Sequence, residues 1–221
     1  MTLPAVTGVT PDDTARGLGV ATIAASLRAV TGRDGVIAAE RLPRRSGSGC
    51  VVGRARTASN PPGENSATWP LVGAARAGDL LVLAGPDDSV ALWGHLASTA
   101  AAAAGVTGVL VDGGARDVGA CREMGFSVFA RAVVTRDPAK RRPGVLGEPI
   151  RIGEVVVGEG DVVVADDDGV VVVPAGRWPE VLAAATERGR AEERDLEALQ
   201  AGRIDEVVAA KAGHLPGGSQ P

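Results

Sequence analysis

The chain has 221 residues, 45% of them apolar and 23% charged, with a formal net charge of -4; that is enough for one sizeable core and short for two. With 31 glycines, 14 prolines, no tyrosine and 2% aromatic residues, the composition implies many turns and a core of valine, leucine and alanine. Lysines and arginines are scattered, so the basic stripe of a nucleic-acid binder is missing and no nucleic-acid partner is expected. Two cysteines without close spacing, Cys50 and Cys121, fit inert thiols in a reducing cytoplasm.

The start, MTLPAVTGVTPDD, lacks the basic and apolar pattern of a secretory leader. Helix one is expected from TPDD, with Thr10 as cap, Pro11 just inside and Asp12 and Asp13 in the first turn, to about Val30. GVIAAERL and CVVGRARTA read as β-type runs, and PRRSGSG between them as a turn. Gly47 and Gly49 lack the third glycine of a dinucleotide fingerprint.

SNPPGENSATW reads as a loop, PLVGAARAG as a short helix and DLLVLAG as a buried strand. Alternation then repeats: SVALWGHLASTAAAAAG as helix, VTGVLVDG as strand, ARDVGACREMG as helix, FSVFARAVV as strand. This is the βαβ rhythm of an α/β fold. Ser89 to Val111 approaches membrane-spanning length, but Gly94, His95, Gly105 and Gly108 interrupt it, so no membrane partner is expected. After a Pro- and Arg-rich connection at 137–149, IRIGEVVVG and GDVVVADDDGVVVVP predict a small antiparallel unit, with DDDG as a turn rather than a calcium loop. A last helix is expected from Trp178 to Gln200, ended by Gly202. One domain is expected over 1–205 and a disordered tail over 206–221, with His214 idle in it.

Chemistry concentrates in GVLVDGGARD, Gly108 to Asp117. It ends a strand where open α/β sheets bind ligands. An acid in a helix's first turn, such as Asp117, is explained by the helix dipole; a cation beside it, Arg116, is not, unless an anion lies between. In WGHLAS the backbone amides of Gly94, His95, Leu96 and Ala97 are candidate carboxylate holders if the helix starts there, with Gly94 allowing close approach.

These stretches, with the PPGEN loop (Glu64, Asn65), ARAGDLLVL, GFSVFARAV and GEGDVVVADDDGVVVVP, make the chain resemble the RraA-like family. That family joins class II 4-hydroxy-4-methyl-2-oxoglutarate / 4-carboxy-4-hydroxy-2-oxoadipate aldolases with regulators of ribonuclease E activity. The resemblance runs from about Leu18 to Gly202 and implies a three-layer β/β/α swivelling domain, assembled as a homotrimer or hexamer with sites between subunits. It implies that Asp117 ligates a divalent cation, Mg2+ or Mn2+, partly through waters; that Arg116 binds the substrate's oxygen; and that the amides of Gly94 to Ala97 hold its carboxylate. Glu192, or Glu193 beside it, is the candidate acid from a neighbour's C-terminal helix.

Two positions depart from the family. Its aldolases carry an acid separated by twenty residues from the Arg-Asp pair, where His95 stands here, and the position of the helix-one acid is Ala25. His95 could ligate metal, act as a base or fill space. The expected activity is cleavage of a C-C bond in a 2-oxo acid by retro-aldol reaction or decarboxylation, through a pyruvate enolate. The alternatives are a non-catalytic protein-binding regulator and a metal-assisted lyase or hydrolase adapted to another substrate.

Overall fold

The computed structural model describes residues 11–212. Helix α1 spans Pro11–Thr31, and the expected Thr10 cap lies outside the described residues. Gly19, at φ 74°, breaks α1, and the segment beyond it restarts on a distant acid, Asp166, whose Oδ2 accepts from the Val20 amide at 2.8 Å.

The strands are β1 (Val36–Ala38), β2 (Arg44–Ser46), β3 (Val51–Ser59), β4 (Asp79–Ala84), β5 (Ala91–Trp93), β6 (Gly108–Ala115), β7 (Ser127–Val133), β8 (Val145–Leu146), β9 (Ile150–Ile152), β10 (Val155–Val157), β11 (Val162–Asp166) and β12 (Gly169–Val173). The further helices are α2 (Thr68–Ala74), α3 (His95–Ala103), α4 (Val118–Glu123), α5 (Trp178–Gln200) and α6 (Ile204–Ala212). One mixed sheet runs β1-β12-β11-β3-β4-β6-β7-β2, with β5 on β6 and β8 on β3. Its centre, β3-β4-β6-β7, is parallel, and its flanks are antiparallel.

Side-chain alternation builds the layers. Leu81, Leu83, Val109, Val111 and Val128 pack with α2, α3 and α4. Leu80, Val82, Leu110 and Phe129 point the other way, onto the separate β9–β10 hairpin. Helices α1 and α5 cover Val52, Val162, Val164, Val171 and Val173 at the antiparallel end. The result is helices, a sheet and a second β layer, as the resemblance implied. Each wholly buried leucine or valine here is worth roughly 1.5–3 kcal/mol relative to exposure.

Several expectations need correction. The run 89–105 is not one helix: Ala91–Trp93 is β5, because a three-residue apolar segment carries no periodicity of its own and takes its conformation from β6 beside it. The supposed turn PRRSGSG contains β2, a polar edge strand paired to β7, and the 137–149 connection contains β8. The β11–β12 hairpin is not a separate unit; it joins the main sheet through β3. Residues 206–212 are part of α6 rather than tail, while 213–221, with His214, lie outside the described residues. The DDDG acids act structurally: Asp166 also accepts from the Asp168 amide, and Asp167 pairs with Arg44.

Candidate active site

The DGG of GVLVDGGARD is not a turn. All eight residues of β6 are buried, and the strand continues through the glycines to Ala115. A Cβ on Gly114 would lie 2.6 Å from the Val90 carbonyl oxygen and 2.3 Å from Val134 Cγ2, so only glycine lets β5 and the chain after β7 close on this strand. Asp112, 5% exposed, points to the hairpin side and pairs with Arg131 at 2.9 Å and Arg41 at 3.1 Å.

β5 sets the site by delivering the start of α3 to the tip of β6. The Arg116 amide donates to the Trp93 carbonyl at 2.9 Å, which brings Gly94 against the Arg-Asp pair. A Cβ on Gly94 would meet Asp117 Oδ2 at 2.8 Å and Arg116 Cγ at 3.1 Å. The space expected for a ligand's approach is thus partly taken by the protein's own carboxylate. The His95 amide donates to Asp117 Oδ2 at 3.2 Å, leaving the Leu96 and Ala97 amides as first-turn donors without an intrahelical acceptor.

Asp117 adopts φ 55°, the one positive φ outside glycine among the described residues. Aspartate tolerates this region better than most residues, and here it points the carboxylate away from α4, whose amides it does not cap. Arg116 binds Asp137 through Nη1, and its Nε lies 3.7 Å from Asp117 Oδ2. The Asp137 partner raises the guanidinium's pKa above its already high ordinary value.

The cleft is lined by Gly94, Leu96, Ala97, Arg116 and Asp117, as expected, and also by Asn65, Thr68, Trp69 and Lys140. The last four come from loops and α2, where no local pattern marked them; PPGEN alone gave a hint of Asn65. Asn65 Oδ1 is buried without a hydrogen-bond partner. Neighbouring Glu64, 3% exposed, accepts from the Arg141 amide at 2.8 Å and the Arg142 side chain at 3.3 Å. The Arg141 amide, with help from Arg142, holds its carboxyl below the usual glutamate range.

Beneath the cleft, Trp93 Nε1 donates to Ser98 Oγ at 2.8 Å, and Ser98 Oγ lies 3.4 Å from Cys121 Sγ. Burial pushes the Cys121 thiol up in pKa, and Cys50 to about 11, so both free thiols are poor nucleophiles.

The structure does not bring every expected residue together within one chain. His95 contributes its amide, but its imidazole is not among the groups lining the cleft. Glu192 sits on α5, where it accepts from Thr22 Oγ1 at 3.2 Å and Arg188 at 2.9 Å; neither it nor Glu193 lines the cleft. Among the described residues no three His, Cys, Asp or Glu side chains cluster as a metal cage. One half-exposed carboxylate in a polar cleft does fit a cation of the Mg2+ type, which keeps waters and needs one or two carboxylates, and does not fit a closed zinc site.

Comparison with known proteins shows the family of the chain. The RraA-like family model (Aldolase/RraA) matches residues 20–172. A Halalkalibacterium halodurans protein named "Putative 4-hydroxy-4-methyl-2-oxoglutarate aldolase" is 32% identical over 163 residues, 73% of this chain and 76% of its own length. The solved structure of Streptomyces coelicolor RraAS2, described as an unusual member of the RNase ES inhibitor RraA protein family, is 26% identical with a TM-score of 0.74, covering 84% of this chain and 96% of that one. The RNA-processing inhibitor RraA from Thermus thermophilis is 25% identical with a TM-score of 0.63, covering 68% of this chain and 92% of its own. No helix among the described residues is long and apolar enough to cross a membrane.

Proposed function

We propose, since the chain belongs to the RraA-like family, that it is a divalent-metal-dependent lyase that cleaves a C-C bond in a 2-oxo acid. The observation that carries this reading is the convergence of Arg116, Asp117 and the first turn of α3 in one cleft. Asp117 would hold Mg2+ or Mn2+ with waters, and a bound cation supplies Lewis acidity to the 2-oxo carboxylate. The Leu96 and Ala97 amides receive the substrate's carboxylate. Arg116 stands where negative charge develops on the enolate oxygen as the bond breaks, and preorganised charge of this kind lowers barriers by several kcal/mol.

In a retro-aldol cycle the C4 hydroxyl loses its proton, the C3–C4 bond breaks toward C3, and the pyruvate enolate takes a proton at C3. The proton acceptor would be a water held by the bound cation, or the imidazole of His95, which stands in α3's first turn but outside the cleft lining. Lys140 suits a charged distal end, and the unpartnered Asn65 Oδ1, an acceptor, suits a hydroxyl, so a hydroxylated diacid is the best match.

A homotrimer or hexamer, with Glu192 of one subunit reaching a neighbour's cleft, belongs to the same proposal. Its support is the exposure of Leu96 (73%) and Trp69 (47%) at the cleft, too much apolar surface to leave beside a polar site without a covering neighbour. A cytoplasmic location fits the two unpaired thiols. The decisive assay is coupled pyruvate release from oxaloacetate and branched 4-hydroxy-2-oxo diacids. Activity should vanish in EDTA, return with Mg2+ or Mn2+, and fall at least 100-fold in Asp117→Asn, an order expected when a reaction-centre ligand is lost. Full turnover in chelator defeats the proposal. Relatives named as RNA-processing inhibitors favour a second reading, a regulator that binds another protein; pull-down of a ribonuclease without turnover on the same panel would support it.

A further inference from the structure

The chain holds a second cleft, of about 480 Å3, that shares no lining residue with the first. It lies at the carboxyl ends of β3 and β4, where Asp112 and Arg131 extend the side-chain rows of Leu110 and Phe129 toward the β9–β10 hairpin. Asn60, 6% exposed, lines it. Its amide orientation is fixed, because Oδ1 accepts from the Ala67 amide at 2.9 Å. Nδ2 is therefore a donor, and it is buried with no partner, a state that costs about 1–3 kcal/mol unless something accepts from it.

The charges around this donor leave a positive surplus. Arg41, Arg131 and Arg151 line the cleft against Asp112, and Arg131 also reaches Asp88 at 2.6 Å. Arg41 meets Asp112 through Nη2 alone, so its other N–H groups are available, and Arg151 has no ion pair among the described residues. Pro62, Pro86 and Pro149 form stiff walls. We propose that this cleft binds a small oxyanion, the carboxylate or phosphate head of a metabolite, received by Asn60 Nδ2, Arg41 and Arg151. The proposal is independent of the lyase reading.

The test is calorimetric titration of inorganic phosphate and, separately, succinate into the full chain carrying Arg116→Ala and Lys140→Ala, which together remove the cationic side chains lining the first cleft. At least one of the two should bind with about one site per chain, and which one binds identifies the head group. Adding Arg151→Ala, a change at an exposed side chain, should weaken that binding about tenfold, the usual scale for one charged hydrogen bond; Asn60→Asp, which turns the donor into an acceptor, should abolish it. Absence of binding by both anions at tens of millimolar overturns the proposal. So does binding that neither Arg151→Ala nor a folded Asn60→Asp changes.

Discussion

Gly94→Ala tests the geometry of the first cleft with one methyl group. Gly94 has φ -167° and ψ -169°, extended backbone that alanine adopts freely, so strain in the chain is not the issue. The added Cβ would stand 2.8 Å from Asp117 Oδ2, against an ordinary contact of 3.4 Å or more. The carboxylate must retreat by about 0.6 Å, which carries it beyond reach of the His95 amide, already 3.2 Å away. Because Asp117 is half exposed, the folding cost should sit at the low end of overpacking, about 1 kcal/mol, and lower Tm by about 2–4 °C in a chain of this size. Function should suffer more: a 1 Å misplacement costs on the order of 100-fold, so roughly tenfold in pyruvate release is expected. Mn2+ affinity, followed by electron paramagnetic resonance, should fall with it. A Gly94→Ala protein with wild-type Mn2+ affinity and turnover within about twofold would show that the contact between Gly94 and Asp117 does not hold the carboxylate in place.

Three further outcomes are expected. Ser98→Ala removes the acceptor of the buried Trp93 indole and should cost about 1–3 kcal/mol in urea denaturation; an unchanged midpoint would mean the indole has another acceptor. Glu64→Gln tests the carboxylate that Arg141 holds: its folded pKa is below the ordinary 4.5, so its stabilisation is complete above that pH and is lost as pH falls through the folded value. Wild type should therefore be more stable than the variant at pH 7 and lose that advantage on acidification, and a constant difference down to pH 3 would refute the assignment. His95→Asp restores an acid at the position where the family's aldolases carry one, and turnover of branched 4-hydroxy-2-oxo diacids should rise; a variant that still binds Mn2+ without any gain would remove His95 as the determinant of substrate choice.

Much of the fold was legible because burial imposes a pattern on neighbours in the chain. The valine and leucine runs of β4, β6, β11 and β12 declare strands buried on both faces, and α5 runs from Trp178 to Gln200 as its spacing implied. Elements without their own pattern were missed. β2 is an arginine-rich edge, β5 has three residues, and α6 has no buried residue. The Arg-Asp pair at the tip of β6 was readable because a cation before a helix is locally unfavourable, a conflict visible in two adjacent residues.

What the sequence by itself determined was the class of fold, the strand that bears the proposed site and the two charged residues at its end. Only the tertiary structure decided that Asp112 is a buried ion-pair partner, that Gly94 packs closely against the Asp117 carboxylate, that Asp137 holds Arg116, and that Asn65 and Lys140 share the cleft. The physical reason is range: period and propensity act between residues a few positions apart, whereas these contacts join segments from tens of positions away, and their partners are chosen by sheet register and close packing.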